Sequence, residues 1–257
     1  RIYADRQIVL YEYQRTRNAS HPREFLKNFS GICVTDGYQV YHTLEDERED
    51  LKIAGCWSHA RRRFDEAVKA LPKAKQKDSR AYLALTMIQA IYREEKQLKE
   101  LPSPERHNRR QLSIRPLVEA YFTWVRENLP RVPQKSKTWE GFNYSLNQEK
   151  YLKVFLDDGE VPMDNNAAEQ SIRGFCIGKK NWVMIDTVVG AKSSAIIYSI
   201  AETAKANNLK PYDYFEYLLT EIPKHLDDTD RGFLDDLLPW SPNLPANCRK
   251  PGKDEVK

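Results

Sequence analysis

Apolar positions along the chain follow two spacings, one typical of strands and one typical of helices. Short runs of β-branched and aromatic residues predict strands at residues 7–13, 32–35 and 51–56. Apolar positions three to four apart predict helices over residues 22–29, 57–71, 79–101, 105–129, 139–156, 193–207 and 212–222. A short strand or an extended loop is predicted over 180–185. The pattern therefore predicts a strand-rich start followed by a long helical stretch.

The polar run DNNAAEQSIR predicts a further helix, N-capped by Asp164 or Asn165. On this helix Asn165, Glu169 and Arg173 stand four apart and share one face, with Asn166 three before Glu169. One interpretation is an N-capped surface helix with a Glu–Arg pair. The sharper one is a metal-binding carboxylate on a helix that faces nucleic acid.

A second acidic residue, Asp36, directly follows the predicted strand 32–35. Open α/β sheets bind their ligands at the carboxyl ends of such strands, which makes Asp36 a candidate site residue. The alternative is a turn or N-cap aspartate before the next segment.

Basic residues open the helix that follows the predicted strand 51–56. Arg61, Arg62 and Arg63 at a helix start are suited to meeting phosphates, and the alternative is a solvated charged face. For His59, hydrogen bonding or DNA contact is favoured over metal ligation.

Composition narrows the class of protein. The chain has 257 residues, of which 40% are hydrophobic and 30% charged, as expected of a soluble globular protein. A net charge of +4 permits a nucleic-acid partner without arguing for one. No membrane span or secretion signal is predicted. The four cysteines form no C-x-x-C pair, which favours reduced thiols in a cytoplasmic protein over a zinc site or disulfides.

Four motifs together resemble those of insertion sequence 66 type transposases, in order and in approximate spacing. They are TDGY at 35–38, GCWSHARRRF at 55–64, DNNAAEQSIR at 164–173 and GKKNW at 178–182. The ending LLPW at 237–240 is also similar, so the resemblance covers nearly the whole chain.

The resemblance implies a DDE transposase with an α/β, ribonuclease H-like fold, a mixed sheet flanked by helices. Asp36 would be its second catalytic aspartate and Glu169 its glutamate, both binding metal, with an all-helical insertion between them. The first aspartate is expected upstream of Arg1, so the fragment is expected to be inactive alone. The implied domains are the first part of the core at 1–71, the insertion at 72–156 and the core with the Glu helix at 157–240. The Pro- and Lys-rich composition of residues 241–257 predicts a flexible tail there.

The implied chemistry is DNA strand cleavage and strand transfer with two Mg²⁺ (or Mn²⁺) ions. The residues expected to contact DNA, some of them also orienting Glu169, are His59, Arg61, Arg62, Arg63, Asn165, Asn166, Arg173, Lys179, Lys180 and Trp182. Expected partners are the element ends and target DNA, further copies of the protein on DNA, and accessory proteins of the element. The expected location is the bacterial cytoplasm, at the nucleoid.

Two other functions stay open from the sequence. One is a non-catalytic DNA-binding remnant of the same ancestry, without metal chemistry. The other is a helical scaffold or interaction protein, in which the charged stripe around Glu169 is solvated surface.

Overall fold

The computed structural model describes residues 2–3, 6–182 and 185–251, and most of this part is helical. Its strands are β1 (Ile2–Tyr3), β2 (Arg6–Gln7), β3 (Gly31–Val34) and β4 (Leu51–Ala54). Its α-helices are α1 (Ser20–Phe25), α2 (Gln39–Asp46), α3 (Trp57–Lys69), α4 (Lys73–Gln76), α5 (Arg80–Gln97), α6 (Ser103–Arg109), α7 (Arg115–Asn128), α8 (Lys137–Asn147), α9 (Glu149–Leu152), α10 (Asn166–Trp182), α11 (Val188–Ala206), α12 (Pro211–Glu221) and α13 (Leu234–Leu237).

The sheet content corrects the predicted fold class. In the described part of the chain, β3 pairs with β4 in parallel, and β1 pairs with β2 antiparallel. The described part of the chain is 63% helical, so the prediction of a ribonuclease H-like mixed sheet with a helical insertion is wrong. The physical reason is that β3 and β4 pair only with each other within the described residues. Of the remaining predicted strand, residues 7–13, only Gln7 is paired, as part of β2.

That third run, residues 7–13, lies along a helix. The Val9 N–H donates to Thr203 Oγ1 at 3.0 Å, and the Thr203 hydroxyl donates back to the Val9 carbonyl at 3.0 Å. The Tyr11 N–H donates to Ser199 Oγ at 2.8 Å. Hydroxyl groups of α11 thus bond backbone groups that a neighbouring strand would otherwise bond, so the predicted strand over 7–13 is wrong.

The chain divides into two compact units. The central unit is Arg17–Asn166, and the terminal unit is Arg1–Thr16 together with Ala167–Lys257. The domain boundaries implied by the resemblance, at residues 71, 156 and 240, stay predictions.

The core of the central unit surrounds Trp57, at the start of α3. Its indole N–H donates to the Leu152 carbonyl at 2.8 Å, and its ring lies 5.5 Å from Tyr121 and 5.9 Å from Phe122, measured between centroids. Buried side chains of α3, α5, α7 and α8 join this core, and Val34 of β3 packs against it. One face of the two-stranded sheet therefore shares this hydrophobic core with the helices after it, and the other face packs in a separate cluster with Leu26 and Leu44.

The predicted helix over 105–129 contains a change of pitch. A π-helical turn, Arg110–Ile114, separates α6 from α7. The N–H of Arg115 donates to the carbonyl of Arg110, five residues earlier. Pro116 follows at once and has no N–H to donate, so a regular α-helical ladder cannot run through this point.

The terminal unit holds a small cluster of aromatic rings. Tyr11 stacks on Phe175 of α10 with ring centroids 5.8 Å apart, and its hydroxyl donates to the Ser171 carbonyl at 2.5 Å. Tyr198 of α11 meets both rings edge-on. Burial raises the pKa of Tyr11 to about 12, and the nearby charge of Glu202 adds to the increase.

Two local predictions in the terminal unit need correction. The composition predicts a flexible tail over 241–257, but Leu244 and Cys248 are buried, and the Lys210 N–H donates to the Cys248 carbonyl at 2.8 Å. The tail after residue 251 lies outside the described residues. The strand or loop predicted from residue 180 is helical as far as Trp182, residues 183–184 are outside the described part, and Ile185 has no regular structure.

Candidate functional site

The candidate site begins at the carboxyl end of β3, where Asp36 is exposed. The Tyr38 N–H donates to Asp36 Oδ1 at 3.1 Å, and Gly37 adopts a φ of +83°, which favours glycine. The Thr35 N–H donates to the Ala54 carbonyl at 2.9 Å, extending the pairing with β4. Asp36 therefore holds a tight turn at the strand end, as the turn interpretation predicts, and its carboxylate stays accessible to solvent.

The second motif meets the first at the same edge of the sheet. Because β3 and β4 are parallel, their carboxyl ends lie side by side, which brings Asp36 near Gly55 and Cys56. The Gly55 N–H donates to the Tyr151 carbonyl at 2.9 Å. A Cβ at Gly55 would lie 3.2 Å from the backbone nitrogen of Leu152, so glycine permits this close approach.

The start of the third motif joins them. The Trp57 N–H donates to the Met163 carbonyl at 3.0 Å, and the Asn165 N–H donates to Cys56 Sγ at 3.4 Å. Within the central unit, the carboxyl edge of the parallel pair therefore gathers the first motif, the second motif and the beginning of the third.

Asp164 organises the start of α10. Its Oδ1 accepts from the Asn166 N–H at 3.1 Å, and its Oδ2 accepts from Asn166 Nδ2 at 2.8 Å and from the Tyr92 hydroxyl at 3.0 Å. The Asp164 side chain thus accepts from the N–H of the first residue of α10, while Asn165, the other predicted cap, directly precedes the helix. Burial and the Asp164 charge raise the pKa of Tyr92, so its hydroxyl keeps the proton it donates.

Tyr92 is a site residue that sequence reasoning missed. It follows the helical spacing of the apolar positions in α5, so the pattern predicts a core side chain and gives no signal for its hydroxyl. Tyr92→Phe is expected to lower the free energy of unfolding by about 1.5 kcal/mol, because a hydrogen bond to a charged group is lost. Urea unfolding of both proteins measures this. Equal midpoints would show that the bond is not stabilising.

Cys56 is buried beside these residues. Burial raises the pKa of its thiol, and hydrogen bonds from the backbone of Asn165 and His59 partly offset that increase. A raised pKa leaves little thiolate at neutral pH. Iodoacetamide labelling followed by mass spectrometry is therefore expected to modify exposed Cys176 in the native protein, and buried Cys56 and Cys248 only after unfolding. Labelling of native Cys56 as fast as Cys176 would contradict this.

The three arginines of the second motif are exposed on α3. Arg63 lies over the ring of Tyr144, 4.2 Å from its centroid. Because neighbouring residues on a helix point in different directions, Arg61 and Arg62 face away from Arg63. Burial raises the pKa of Tyr144 to about 12; Arg63 opposes the increase, and Cys56 and Asp36 add to it. His59 is half-buried, and its backbone N–H donates to the Cys56 carbonyl at 3.2 Å.

The remaining predicted residues lie at the start of α10 or along it. Asn165 and Asn166 are half-buried at the end of the central unit. Glu169 is half-buried and Arg173 exposed, one helical turn apart in the terminal unit. Lys179, Lys180 and Trp182 belong to the last turns of the helix, and their side chains lie outside the described part.

The predicted metal centre stays a prediction. Among them, no group of three or more His, Cys, Asp or Glu side chains could hold a metal ion. Asp36 belongs to the central unit and Glu169 to the terminal unit. Each is a hard oxygen donor of the kind that Mg²⁺ prefers. No helix in the described part is long and apolar enough to cross a membrane.

Comparison with known families decides the kind of protein. Residues 2–193 match the family described as Transposase IS66 family, and residues 199–240 match the IS66 C-terminal element. The chain belongs to the IS66 transposase family. The LLPW ending lies within the C-terminal element.

Curated relatives of this IS66 family chain occur in Sinorhizobium fredii (strain NBRC 101917 / NGR234). The chain is 29% identical over 240 residues to uncharacterized protein y4qI, covering 91% of this chain and 43% of that protein. It is 27% identical to uncharacterized protein y4jD, covering 91% of this chain and 45% of that protein. The chain therefore spans less than half the length of these relatives. No solved structure matches it.

Proposed function

We propose that the protein carries two of the catalytic carboxylates of a DNA transposase that cleaves and joins the strands of an insertion sequence. Family membership supports the class of activity. The observation that carries the proposal is the meeting of three motifs at the carboxyl edge of β3 and β4, where Asp36 leaves the sheet in a turn fixed by the Tyr38 N–H. A carboxylate oriented by the backbone is ready for chemistry without further folding.

Asp36 and Glu169 are proposed as the catalytic carboxylates, with Mg²⁺ or Mn²⁺ as the cofactor. Carboxylate oxygens suit these hard cations. When bound, such ions polarise the phosphodiester and lower the pKa of a bound water. Asn165 and Arg173 are proposed to orient Glu169 or contact the scissile strand, since Arg173 stands one turn after Glu169 on α10.

DNA is the proposed partner, as element ends and as target. Arg61 and Arg62 are exposed on α3 and suit phosphate contacts, and the same role is proposed for Lys179 and Lys180. The residues proposed to complete the DNA contacts are His59, Arg63, Asn166 and Trp182. Assembly of several copies on DNA, accessory proteins of the element and a site of action at the bacterial nucleoid belong to the same proposal.

The proposal is tested with the full-length protein and DNA carrying the element ends. Strand cleavage should require Mg²⁺ or Mn²⁺ and stop in EDTA. Asp36→Asn should reduce the rate at least about a hundredfold, because several kcal/mol of charge stabilisation are lost. Asp46→Asn, at an exposed aspartate of α2, is the matched control and should cleave normally. Cleavage in EDTA, or by Asp36→Asn at the normal rate, would contradict the proposal.

A non-catalytic DNA-binding protein of the same ancestry is the second candidate. The exposed Arg61 and Arg62 of α3 suit phosphate contacts whether or not the site binds metal. The same experiment separates the two functions, because this candidate binds DNA without cleaving it at any metal concentration.

A further inference from the structure

A cleft of about 580 Å³ lies beside the Asp36 turn, on the side of α2 and α8. It belongs wholly to the central unit. The lining residues that matter here are His42, Arg63, Asn143, Tyr144, Gln148 and Tyr151. The cleft therefore combines aromatic rings and amides with few charges.

In two buried side chains of this cleft, one polar atom each lacks a hydrogen-bond partner among the described residues. His42 is 3% exposed and Gln148 is 9% exposed. Among the described residues, neither His42 Nε2 nor Gln148 Oε1 has a hydrogen-bond partner. Buried polar atoms are almost always paired, so two unpaired ones on side chains lining the same cleft leave hydrogen-bonding capacity that a bound ligand can take up.

The walls of the cleft are flat rings. The His42 imidazole stacks on Tyr151 with centroids 3.8 Å apart and planes 4° apart. Arg63 lies over the ring of Tyr144. Burial lowers the pKa of His42, and the nearby charge of Lys150 lowers it further. The acids Glu45 and Asp46 raise this pKa, but by less than burial lowers it. His42 is therefore a neutral ring, and its Nε2 can donate or accept one hydrogen bond.

The cleft adjoins the Asp36 turn directly. A Cβ at Gly37 would lie 3.0 Å from the Tyr144 hydroxyl and 3.2 Å from Gln148 Oε1. Glycine at position 37 therefore lets the turn close against the wall of the cleft. A strand held at Asp36 could place the adjacent nucleotide in this space.

We infer that the cleft binds an unpaired nucleobase of a DNA strand, an inference that rests on the proposed transposase function. A nucleobase is planar, stacks on aromatic rings and carries hydrogen-bond donors and acceptors on its edge. His42, Gln148 and Asn143 offer complementary groups for that edge. Arg63 is balanced by Glu140 on the same cleft, which argues against a site for a free anion.

Anisotropy of two fluorescent oligonucleotides of equal length tests this with the full chain. One is a single strand with bases, and the other is an abasic strand that keeps the phosphates. Wild-type protein should bind the base-containing strand at least about tenfold more tightly, the lower range for stacking of one base. His42→Phe and Gln148→Met should abolish that preference and leave binding to the abasic strand unchanged.

Folding is controlled separately. His42→Phe keeps an aromatic ring against Tyr151 and removes an unpaired buried nitrogen, so its melting temperature should equal or exceed that of the wild type. His107→Phe and Gln97→Met, both away from the cleft, should keep the base preference. A wild-type protein without base preference, or cleft variants that keep it, would overturn the inference.

The outcomes also separate this inference from the proposed function. If the protein transfers strands but shows no preference for the base-containing strand, only the inference of a nucleobase site in the cleft is overturned. A base preference lost in His42→Phe, in a full-length protein that never cleaves DNA, would support the cleft and overturn the proposed catalysis.

Discussion

Replacement of Glu169 by glutamine is expected to abolish strand transfer by the full-length protein while leaving DNA binding largely intact. The substitution keeps the size of the side chain on α10 and removes only the negative charge that a hard cation requires. Losing one carboxylate of a metal-dependent phosphoryl-transfer site should lower the rate at least about a hundredfold. Joined products are measured on a gel with labelled element ends and plasmid target.

Glu100→Gln provides the matched control for this substitution. Glu100 is exposed in the turn after α5, so its amide variant changes charge by the same amount without touching a motif. This control should transfer strands at the normal rate. Normal transfer by Glu169→Gln would show that Glu169 is not a metal ligand.

Of the substitutions proposed for this protein, Arg110→Met is expected to lower the free energy of unfolding the most. Arg110 is 1% exposed, pairs with Glu95, and donates through Nη1 to the carbonyls of Phe155 at 2.7 Å, Asp158 at 2.7 Å and Val161 at 2.9 Å. Its removal leaves a carboxylate and three carbonyls without their donor. The free energy of unfolding should fall by about 3–5 kcal/mol, as for other broken buried ion pairs.

Urea unfolding monitored by circular dichroism measures this effect. Arg109→Met, at the exposed neighbouring position, should change the free energy of unfolding by less than about 0.5 kcal/mol. Arg110→Lys should also destabilise the protein, since a lysine cannot reproduce the fork of donors. If the free energy of unfolding of Arg110→Met were within about 1 kcal/mol of the wild-type value, Arg110 would not stabilise the segment 155–161.

Local spacing predicts most elements of this fold. The helices α5, α11 and α12 and the strands β3 and β4 lie where apolar periodicity predicts them. The strand prediction over 7–13 is wrong because β-branched and aromatic residues are also suited to an extended segment that packs along a helix. Strand pairing depends on distant partners, which periodicity does not reveal, so the implied mixed sheet is wrong.

The site is predictable to the extent that its residues lie in motifs. The position of Asp36 at a strand end follows from the pattern of the chain, and the helix carrying Glu169 follows from its N-cap signal. Tyr92, His42 and Arg110 could not be found in this way. Each lies in a helix whose spacing explains it as core or surface, and its importance depends on contacts with residues far along the chain.

Paramagnetic broadening by Mn²⁺ tests the central claim most directly. In amide spectra of the chain, low concentrations of Mn²⁺ should first broaden the signals of residues next to Asp36 and next to Glu169. Asp36→Asn and Glu169→Gln should each weaken this binding, while Asp46→Asn and Glu100→Gln should not. Broadening spread evenly over exposed carboxylates, and unchanged by Asp36→Asn and Glu169→Gln, would contradict a metal-binding role for these two acids.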